Sequence, residues 1–384
     1  MVSPLKFKLL IISIILFPIF YFIIISCDAQ TSSYVRVAII QDVKYLSLKV
    51  SGYYEITDSS GKNILSRGKN LKTTVTSYKD GILIGGKTFN TDKVLISTND
   101  LDVIIINGRT FRGNIQFIKN KNNKLAVINH IDLEDYIKGI LYHEVSHYWP
   151  VEALKAQAIV CRTYAVYQMQ ENKSKDYDVT SDIYSQVYGG RTSERDRTNR
   201  AVDETCGLIL TYKDKAFPTY FHATCAGHTE DASLLWDINI VPLKGVVCNF
   251  CKESPHFNWH YVLSLLEIKD KLIKAGYKIS DINNIVILGK DNSGRITELK
   301  IISANRDLKI LAKDFRNIIG PNIIRSTNFN VNIIDHDAVF VGFGWGHGVG
   351  LCQWGAYFMA KQGYNATQIL KYYYPGTDVK TIGF

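Results

Sequence analysis

Polar and ionisable side chains are concentrated between residues 133 and 167 of this 384-residue sequence. Within this stretch, Glu144 has mainly apolar and aromatic neighbours, namely Tyr142, Val145, Tyr148 and Trp149. A carboxyl group that loses its water shell in such surroundings has a raised pKa, which a general acid needs near neutral pH. Glu144 is therefore the candidate catalytic acid.

The helix predicted to start at Val151 is apolar around most of its circumference and is expected to be buried. Lys155 and Arg162 are seven residues apart, so they lie on nearly one face of that helix. Buried cations need partners. Composition alone leaves open a purely structural network in which Glu144 and Glu152 pair with these two cations.

The letters of residues 143–147, His-Glu-Val-Ser-His, match the H-E-x-x-H pattern of zinc peptidases. In those enzymes both histidines bind zinc from one helix. Here the Trp149-Pro150 pair predicts that any helix ends just after His147, and no third ligand follows at the metzincin distance. A zinc peptidase is therefore the less favoured alternative.

A glycine-rich segment, residues 342–356, carries His347 and Gln353. Glycine lets a backbone approach a ligand closely. A phosphate-binding loop is not predicted, because no Gly-Lys-Ser/Thr sequence follows. One acid beside such a loop suits cleavage of a glycosidic bond by a group that acts first as acid and then as base, whereas hydrolysis by the usual route uses two carboxylates.

Residues 248–251 have the C-x-x-C spacing of a metal-binding or disulfide-forming pair. Together with a cysteine and a histidine upstream, they could form a closed, structural zinc site. The candidate ligands are Cys225, His228, Cys248 and Cys251. A disulfide or free thiols remain open as alternatives in an exported protein. Cys161 and Cys352 lie in apolar company and are predicted to be core thiols.

The N-terminus is typical of an export signal. Lys6 and Lys8 precede an uncharged run from Leu9 to Ile25, and Ser26 and Cys27 follow it. An apolar residue, a small residue and then Cys resemble a lipoprotein processing box, so Cys27 is a candidate lipidation site; an uncleaved membrane anchor is the alternative. Both alternatives predict an exported, membrane-tethered protein of the cell envelope.

The net charge is +9, from 45 Lys and Arg against 36 Asp and Glu. Such a surplus favours anionic partners, for example cell-wall polymers or phospholipid surfaces. The sequence has no stripe of Lys and Arg interleaved with stacking aromatics, so nucleic acid is not a predicted partner.

The pattern of elements predicts an α+β fold: an export segment (1–30), a β-rich region (31–128) and a catalytic core (129–384) with an α/β lobe at 261–330. Strands are predicted at 35–40, 46–50, 82–84, 93–96, 103–106 and 114–118, and a hairpin from strands 208–212 and 219–221. Helices are predicted at 151–170, 194–206, 263–275, 312–319, 356–362 and 366–374.

Several segments together resemble the stage II sporulation protein D (SpoIID)/LytB amidase-enhancer family. They are LEDYIKGILYHEV, YWPVEALKAQAIVCRTYA, SDIYSQVYGG, YFHATCAGHT, Ser293-Gly294-Arg295 and GFGWGHGVGLCQWGAYFMAKQGYNATQILKYYYPGT. The resemblance implies a SpoIID-like core and a peptidoglycan lytic transglycosylase, which cuts the MurNAc–GlcNAc β-1,4 bond and leaves a 1,6-anhydroMurNAc end. The resemblance also implies that the enzyme requires no cofactor for this reaction.

By matching motif, the resemblance places Glu144 in the position of the catalytic acid. The substrate-binding residues that it implies are Lys155, Gln157, Arg162, Tyr164, Gln186, Tyr188, His347 and Gln353. The aromatic residues expected to line the sugar groove are Trp345, Trp354 and Tyr188. The implied partners are peptide-stripped glycan strands and an amidase. A noncatalytic, wall-binding activator of an N-acetylmuramoyl-L-alanine amidase is the alternative function.

Overall fold

The computed structural model describes residues 34–99, 103–182 and 185–382. The predicted export segment, including the candidate lipidation site Cys27, lies outside these residues. Within the described ranges, no helix has the length and apolar character needed to cross a membrane.

The first part of the chain is β-rich, and its strands alternate buried with exposed side chains. The strands are β1 (Tyr34–Val43), β2 (Tyr45–Asp58), β3 (Ile64–Tyr78), β4 (Gly81–Ile84), β5 (Lys87–Phe89), β6 (Lys93–Thr98), β7 (Val103–Ile106), β8 (Arg109–Phe111), β9 (Asn114–Lys119), β10 (Leu125–Asp132) and, further along, β11 (Val179–Thr180). They form one sheet in the order β11-β1-β10-β9-β6-β2-β3-β4-β5, with β7 between β2 and β8. Strand β3 is missing from the sequence prediction, because most of its side chains are polar and partly or fully exposed.

Two helices follow the sheet. Helix α1 (Leu133–Glu144) begins at Asp132, whose carboxylate accepts a hydrogen bond from the backbone N–H of Glu134 (2.8 Å). Helix α2 (Val151–Glu171) starts after Pro150, and its middle is buried on all sides. The prediction of a buried helix from Val151 is confirmed.

The remaining elements are short. They are α3 (Asp196–Asp203), β12 (Leu208–Thr211), β13 (Phe221–His222), α4 (Ala232–Leu235), β14 (Asn258–Ser264), α5 (Leu265–Lys274), β15 (Ile282–Lys290), β16 (Ile296–Ser303), β17 (Leu308–Leu311), α6 (Ala312–Ile319), β18 (Phe329–Ile334), β19 (Asp337–Phe343), β20 (Leu351–Cys352), α7 (Gln353–Lys361), α8 (Ala366–Tyr373) and β21 (Asp378–Thr381). Single 3₁₀ turns occupy Gly190–Ser193, Val241–Leu243 and Cys251–Glu253. The predicted α+β class is confirmed.

The hairpin predicted from residues 208–212 and 219–221 is wrong. Strand β12 pairs with β21 near the C-terminus, and β13 pairs in parallel with β20. At the turn itself, Tyr212 and Lys215 form an isolated bridge. Pro218 has no N–H group to extend that pairing. The β13–β20 pairing instead holds the glycine-rich segment beside residues 221 and 222.

Helix α2 lies between two hydrophobic clusters. Leu154 and Cys161 pack with the large sheet and α1, whereas Ile159 and Val160 pack with α7 and α8. A third cluster runs from Trp259 to Phe340 and belongs to β14–β19, α5 and α6. This cluster extends past the predicted lobe at both ends. The division of the chain into domains stays a prediction.

A buried ion pair joins α1 to α2. The fully buried Arg162 donates from Nε to Oε1 of Glu134 (2.8 Å) and from Nη2 to Oε2 (2.6 Å). Arg162 Nη1 also donates to the carbonyl oxygen of Leu208 (3.0 Å), and Glu134 Oε1 accepts from the backbone N–H of Gly207 (3.0 Å). These bonds fix both helices to the start of β12.

Replacing Glu134 by Ala should lower the free energy of unfolding by about 3–5 kcal/mol, because the buried Arg162 cation then has no counter-charge. Urea denaturation followed by circular dichroism measures the loss. The exposed pair of Arg67 and Glu55 (2.7 Å) provides a matched control, and Glu55→Ala should cost less than about 1 kcal/mol. Equal losses in the two variants would contradict the stabilising role of the buried pair.

Candidate functional site

A cavity of about 360 Å³ opens beside the C-terminal end of α1. Its walls come from the ends of α1 and α4, from α2, from the chain after β11, from β13 and from the glycine-rich segment. The lining residues are Glu144, Tyr164, Ser185, Val187, Thr219, Tyr220, Phe221, Trp236 and His347. Three of the predicted site residues, Glu144, Tyr164 and His347, are thus brought together. The volume is within the range of sites that bind small molecules or single units of a polymer.

Glu144 is the last residue of α1 and is partly buried. Burial raises the pKa of its carboxyl group to about 7, because the charged form loses hydration. A hydrogen bond from the backbone of Val187 acts in the opposite direction and is the weaker effect. The protonated form is therefore populated at neutral pH.

The backbone of Glu144 is held by a buried side chain from the glycine-rich segment. Gln353 Nε2 donates to the carbonyl oxygen of Glu144 (3.1 Å) and lies 3.4 Å from Oε1 of Gln157. Gln157 Nε2 in turn donates to Cys161 Sγ (3.3 Å). The predicted residues Gln157 and Gln353 are therefore beside Glu144, but they support its backbone and do not line the cavity.

Gln186 and Tyr188 are also buried behind the cavity. Tyr136 donates its hydroxyl to Oε1 of Gln186 (3.0 Å), and Gln186 Nε2 donates to the carbonyl oxygen of Cys161 (3.4 Å). The Tyr188 hydroxyl donates to Oδ1 of Asn129 (2.8 Å), and its ring is 1% exposed. The prediction that Tyr188 lines a sugar groove is wrong, because its ring is packed inside the core.

His347 lines the cavity as a neutral ring. Burial and the positive charges of Arg316 and Arg295 lower the pKa of His347 to about 3. The backbone N–H of Val349 donates to Nδ1 (3.1 Å), which places the ring proton on Nε2. Because His347 is uncharged, it does not stabilise the carboxylate of Glu144 or oppose its raised pKa.

Two aromatic residues that the sequence analysis missed form one wall of the cavity. The ring centroids of Tyr220 and Trp236 are 4.4 Å apart, and Trp236 is 5.2 Å from His347. Tyr164, which the resemblance does assign, is 6.2 Å from Tyr220. Tyr220 is the first residue of the YFHATCAGHT segment of the family resemblance, so its motif could have identified it as a site residue. Trp236 lies outside the segments of the resemblance.

The predicted substrate-binding cations do not line the cavity. Lys155 Nζ pairs with carboxylates of Glu204 (2.7 Å) and Glu152 (3.1 Å). Arg162 is bound to Glu134 as described above. Both assignments are corrected, because each cation already has carboxylate partners. The structural network that composition left open therefore exists, but Glu144 is not part of it.

The two tryptophans expected in the sugar groove also lie elsewhere. Trp354 packs against Trp149, with ring centroids 5.1 Å apart. Trp345 meets His256 edge to face (4.7 Å), and the guanidinium of Arg325 lies over its ring (4.7 Å). Neither ring lines the cavity, so this prediction is corrected for both.

The H-E-x-x-H letters do not form a metal site. Helix α1 ends at Glu144, so His143 lies in its last turn and His147 beyond it. His143 Nε2 is hydrogen-bonded to Ser193 Oγ (2.6 Å), and the His147 ring packs on Tyr148 (4.0 Å). Among the described residues, the cluster able to hold a metal contains neither histidine. The geometry contradicts the zinc peptidase alternative.

The predicted metal ligands are rearranged. Cys225, Cys248 and Cys251 lie together with Cys352, and the four sulfur atoms are within 4.8 Å of one another. We call these four residues the cysteine cluster. His228 is not a member, and its Nδ1 donates to the carbonyl oxygen of the next residue (2.6 Å). The assignment of His228 as a ligand is corrected. Cys352 is a buried free thiol, as predicted, but it lies in the cysteine cluster.

Comparisons with known proteins agree with the motifs. The family model described as Stage II sporulation protein matches residues 121–212, and a domain of unknown function (DUF8618) matches residues 244–350. An uncharacterized protein of Brachyspira hyodysenteriae is 35% identical over 82% of this chain and 84% of its own length. Stage II sporulation protein D of Bacillus amyloliquefaciens is 30% identical over 66% of this chain and 75% of its own length. The amidase enhancer of Bacillus subtilis is 24% identical over 85% of this chain and 50% of its own length.

The raised pKa of Glu144 predicts a pH-dependent cost in stability. The folded state has a pKa of about 7 against a usual value of 4.5, so it retains the proton while the unfolded state loses it between these pH values. Stability therefore falls as the pH rises through this window, by up to about 3 kcal/mol. A neutral Gln at this position removes the penalty.

Glu144→Gln should thus be more stable than the wild type by about 3 kcal/mol at pH 8 and by less than about 1 kcal/mol at pH 5. Urea denaturation of both proteins at the two pH values measures the difference. The exposed Glu55→Gln should change the stability by less than about 1 kcal/mol at both pH values. The same difference at both pH values would mean that the Glu144 carboxyl group titrates normally.

Proposed function

The chain belongs to the SpoIID/LytB family, and from that premise we propose that it is a peptidoglycan lytic transglycosylase with Glu144 as both general acid and general base. The observation that carries the proposal is a carboxyl group with a pKa of about 7 in a cavity walled by aromatic rings. The proposed substrate is a glycan strand of alternating MurNAc and GlcNAc units.

In the first step, the protonated Glu144 donates its proton to the glycosidic oxygen while the bond from this oxygen to C1 of MurNAc breaks. The leaving GlcNAc thereby gains a free 4-hydroxyl group, and C1 develops oxocarbenium character. A pKa near the working pH suits this step, because an appreciable fraction of the enzyme is protonated and the proton is still readily transferred.

In the second step, the 6-hydroxyl oxygen of the same MurNAc forms a bond to C1. The Glu144 carboxylate accepts the proton that this hydroxyl loses, which returns the enzyme to its starting state. The product is a 1,6-anhydroMurNAc end, and no water is consumed. One group thus serves as acid and base in turn, and no added cofactor is needed for either proton transfer.

The composition of the cavity supports this route. Glu144 is the one acidic side chain among the described residues that line it. Retaining and inverting glycosidases generally use two carboxylates, whereas the intramolecular route needs one. Tyr220 and Trp236 offer flat apolar faces on which a sugar ring can pack, and neutral His347 adds no charge near the acid.

Location and partners follow from the same proposal. We place the enzyme at the cell envelope, exported and tethered to the membrane by its N-terminal segment. Its substrate there is peptidoglycan from which an amidase has removed stem peptides. The net charge of +9 favours approach to an anionic wall polymer.

A second candidate function is a noncatalytic, wall-binding activator of an amidase. The observation that favours it is the similarity to the amidase enhancer, which extends over 85% of this chain. On this hypothesis the cavity binds glycan without cleaving it, and the product that increases is free stem peptide.

Glu144→Gln should reduce formation of anhydro ends by at least about 100-fold, because general acid–base catalysis supplies 10²–10⁴-fold. The assay incubates the protein with peptide-free glycan strands and measures 1,6-anhydroMurNAc ends by mass spectrometry. Glu204→Gln is the matched control, since Glu204 pairs with Lys155 outside the cavity. Full activity of Glu144→Gln would overturn the proposal. A wild type that forms no anhydro ends but stimulates an amidase would favour the second candidate.

The pH dependence of kcat/KM should also report on Glu144. The first step needs the protonated acid, so kcat/KM should fall about tenfold per pH unit above pH 7. Initial rates of anhydro-end formation between pH 5 and pH 9 measure this profile. A rate that is constant up to pH 9 would be incompatible with Glu144 as the general acid.

A further inference from the structure

We propose that the cysteine cluster binds one Zn²⁺ ion as a structural tetrathiolate site. The four sulfur atoms lie within 4.8 Å of one another, and Cys225 Sγ is 3.5 Å from Cys251 Sγ. A tetrahedral Zn–S₄ site with bonds of about 2.3 Å requires sulfur atoms about 3.8 Å apart. The sulfur positions therefore need only small adjustments to surround an ion.

The ligands come from three separate parts of the chain. Cys225 follows β13, Cys248 and Cys251 flank a tight loop, and Cys352 ends β20. All four thiols are at most 2% exposed, and none forms a disulfide bond. A C-x-x-C pair completed by two distant cysteines is the arrangement of closed, structural zinc sites, in which the metal joins segments that are remote in sequence.

Hydrogen-bond donors already surround the sulfur atoms. The backbone N–H groups of Cys225 (3.3 Å) and Gly355 (3.4 Å) both donate to Cys352 Sγ. The Tyr373 hydroxyl lies 3.1 Å from Cys248 Sγ. Thiolates bound to a metal are stabilised by such donors from the surrounding shell. The surroundings thus suit negatively charged sulfur.

The chemistry of the ligand set favours zinc. Four soft thiolates in a tetrahedral arrangement select zinc or iron and disfavour Mg²⁺ and Ca²⁺, which prefer oxygen. All four ligand positions are filled by protein and buried, so no position is open for water or substrate. The ion would therefore stabilise the fold and take no part in the proposed reaction.

This site is directly connected to the catalytic acid. Cys352 precedes Gln353, whose side chain donates to the carbonyl oxygen of Glu144 (3.1 Å). Zinc bound at Cys352 would hold the start of α7, and with it Gln353, against the end of α1. Metal binding itself does not depend on the proposed function; its effect on cleavage does.

The first test measures the metal content of the full-length wild type, purified without chelators, by inductively coupled plasma mass spectrometry. We expect about one zinc per chain. Cys352→Ser should lose the zinc. Ser is chosen because its hydroxyl can still accept the N-cap hydrogen bond from the backbone N–H of Gly355, which keeps the start of α7 intact. Cys161→Ser is the matched control, since Cys161 is a buried free thiol outside the cluster, and it should keep the zinc.

A second measurement covers the case in which Cys352→Ser does not fold. Wild type exchanged with Co²⁺ should show the charge-transfer and d–d absorption bands of a tetrahedral tetrathiolate site. Iron in place of zinc, or cluster cysteines found as disulfides by intact-mass analysis, would overturn the proposal. Glu144→Gln should keep its zinc while losing cleavage, so the failure of one proposal is distinguishable from that of the other.

Discussion

Helix α1 ends at Glu144, and the end of a helix leaves its last carbonyl groups without partners from the next turn. Gln353, 209 residues further along the chain, donates to the carbonyl oxygen of Glu144 (3.1 Å). This one hydrogen bond joins the end of α1 to the start of α7. It fixes the backbone at Glu144, while the backbone of Val187 hydrogen-bonds the carboxyl group itself.

The raised pKa of Glu144 depends on the absence of positive charge beside its carboxyl group. The cations of the neighbouring helix are each bound to other carboxylates: Arg162 to Glu134, and Lys155 to Glu152 and Glu204. His347 is uncharged at neutral pH, because its pKa is lowered to about 3. A guanidinium or ammonium group beside Glu144 would favour the carboxylate and lower its pKa. The ion pairs that stabilise α1 and α2 therefore also leave the raised pKa of Glu144 unopposed.

The sequence was sufficient for helix α2, whose pattern is local in the chain. The apolar circumference of α2 is visible in a short window, and the prediction of a buried helix agrees with the structure. The sequence neighbours Tyr148 and Trp149 do not line the cavity, so the aromatic surroundings predicted for Glu144 from the local sequence are wrong. The wall formed by Tyr220 and Trp236 could not be predicted in this way, because it depends on the pairing of β13 with β20. That pairing joins residues 221 and 351, whereas the sequence suggested a local hairpin.

Matching motifs also could not separate residues that contact a ligand from residues that hold the site together. Arg162 and Tyr188 belong to motifs shared with the family, yet one is buried in an ion pair and the other in the aromatic core. The same limit applies to the cysteines. His228 is closer in sequence to Cys225, but Cys352 is the residue that packs against it, because β20 lies beside β13.

Glycines in the glycine-rich segment allow the buried side chain of Arg295 to pack directly against its backbone. Gly348 and Gly350 have positive φ (91° and 71°), and a Cβ atom at Gly348 would lie 2.5 Å from the guanidinium carbon of Arg295. Arg295 is buried and donates to the carbonyl oxygens of Cys225 (2.9 Å) and His228 (3.0 Å). Arg295 lies in the turn before β16, outside the cavity. Through the Arg295 side chain, the β15–β17 sheet packs against both the glycine-rich segment and the cysteine cluster. Arg295 therefore supports the cavity without lining it.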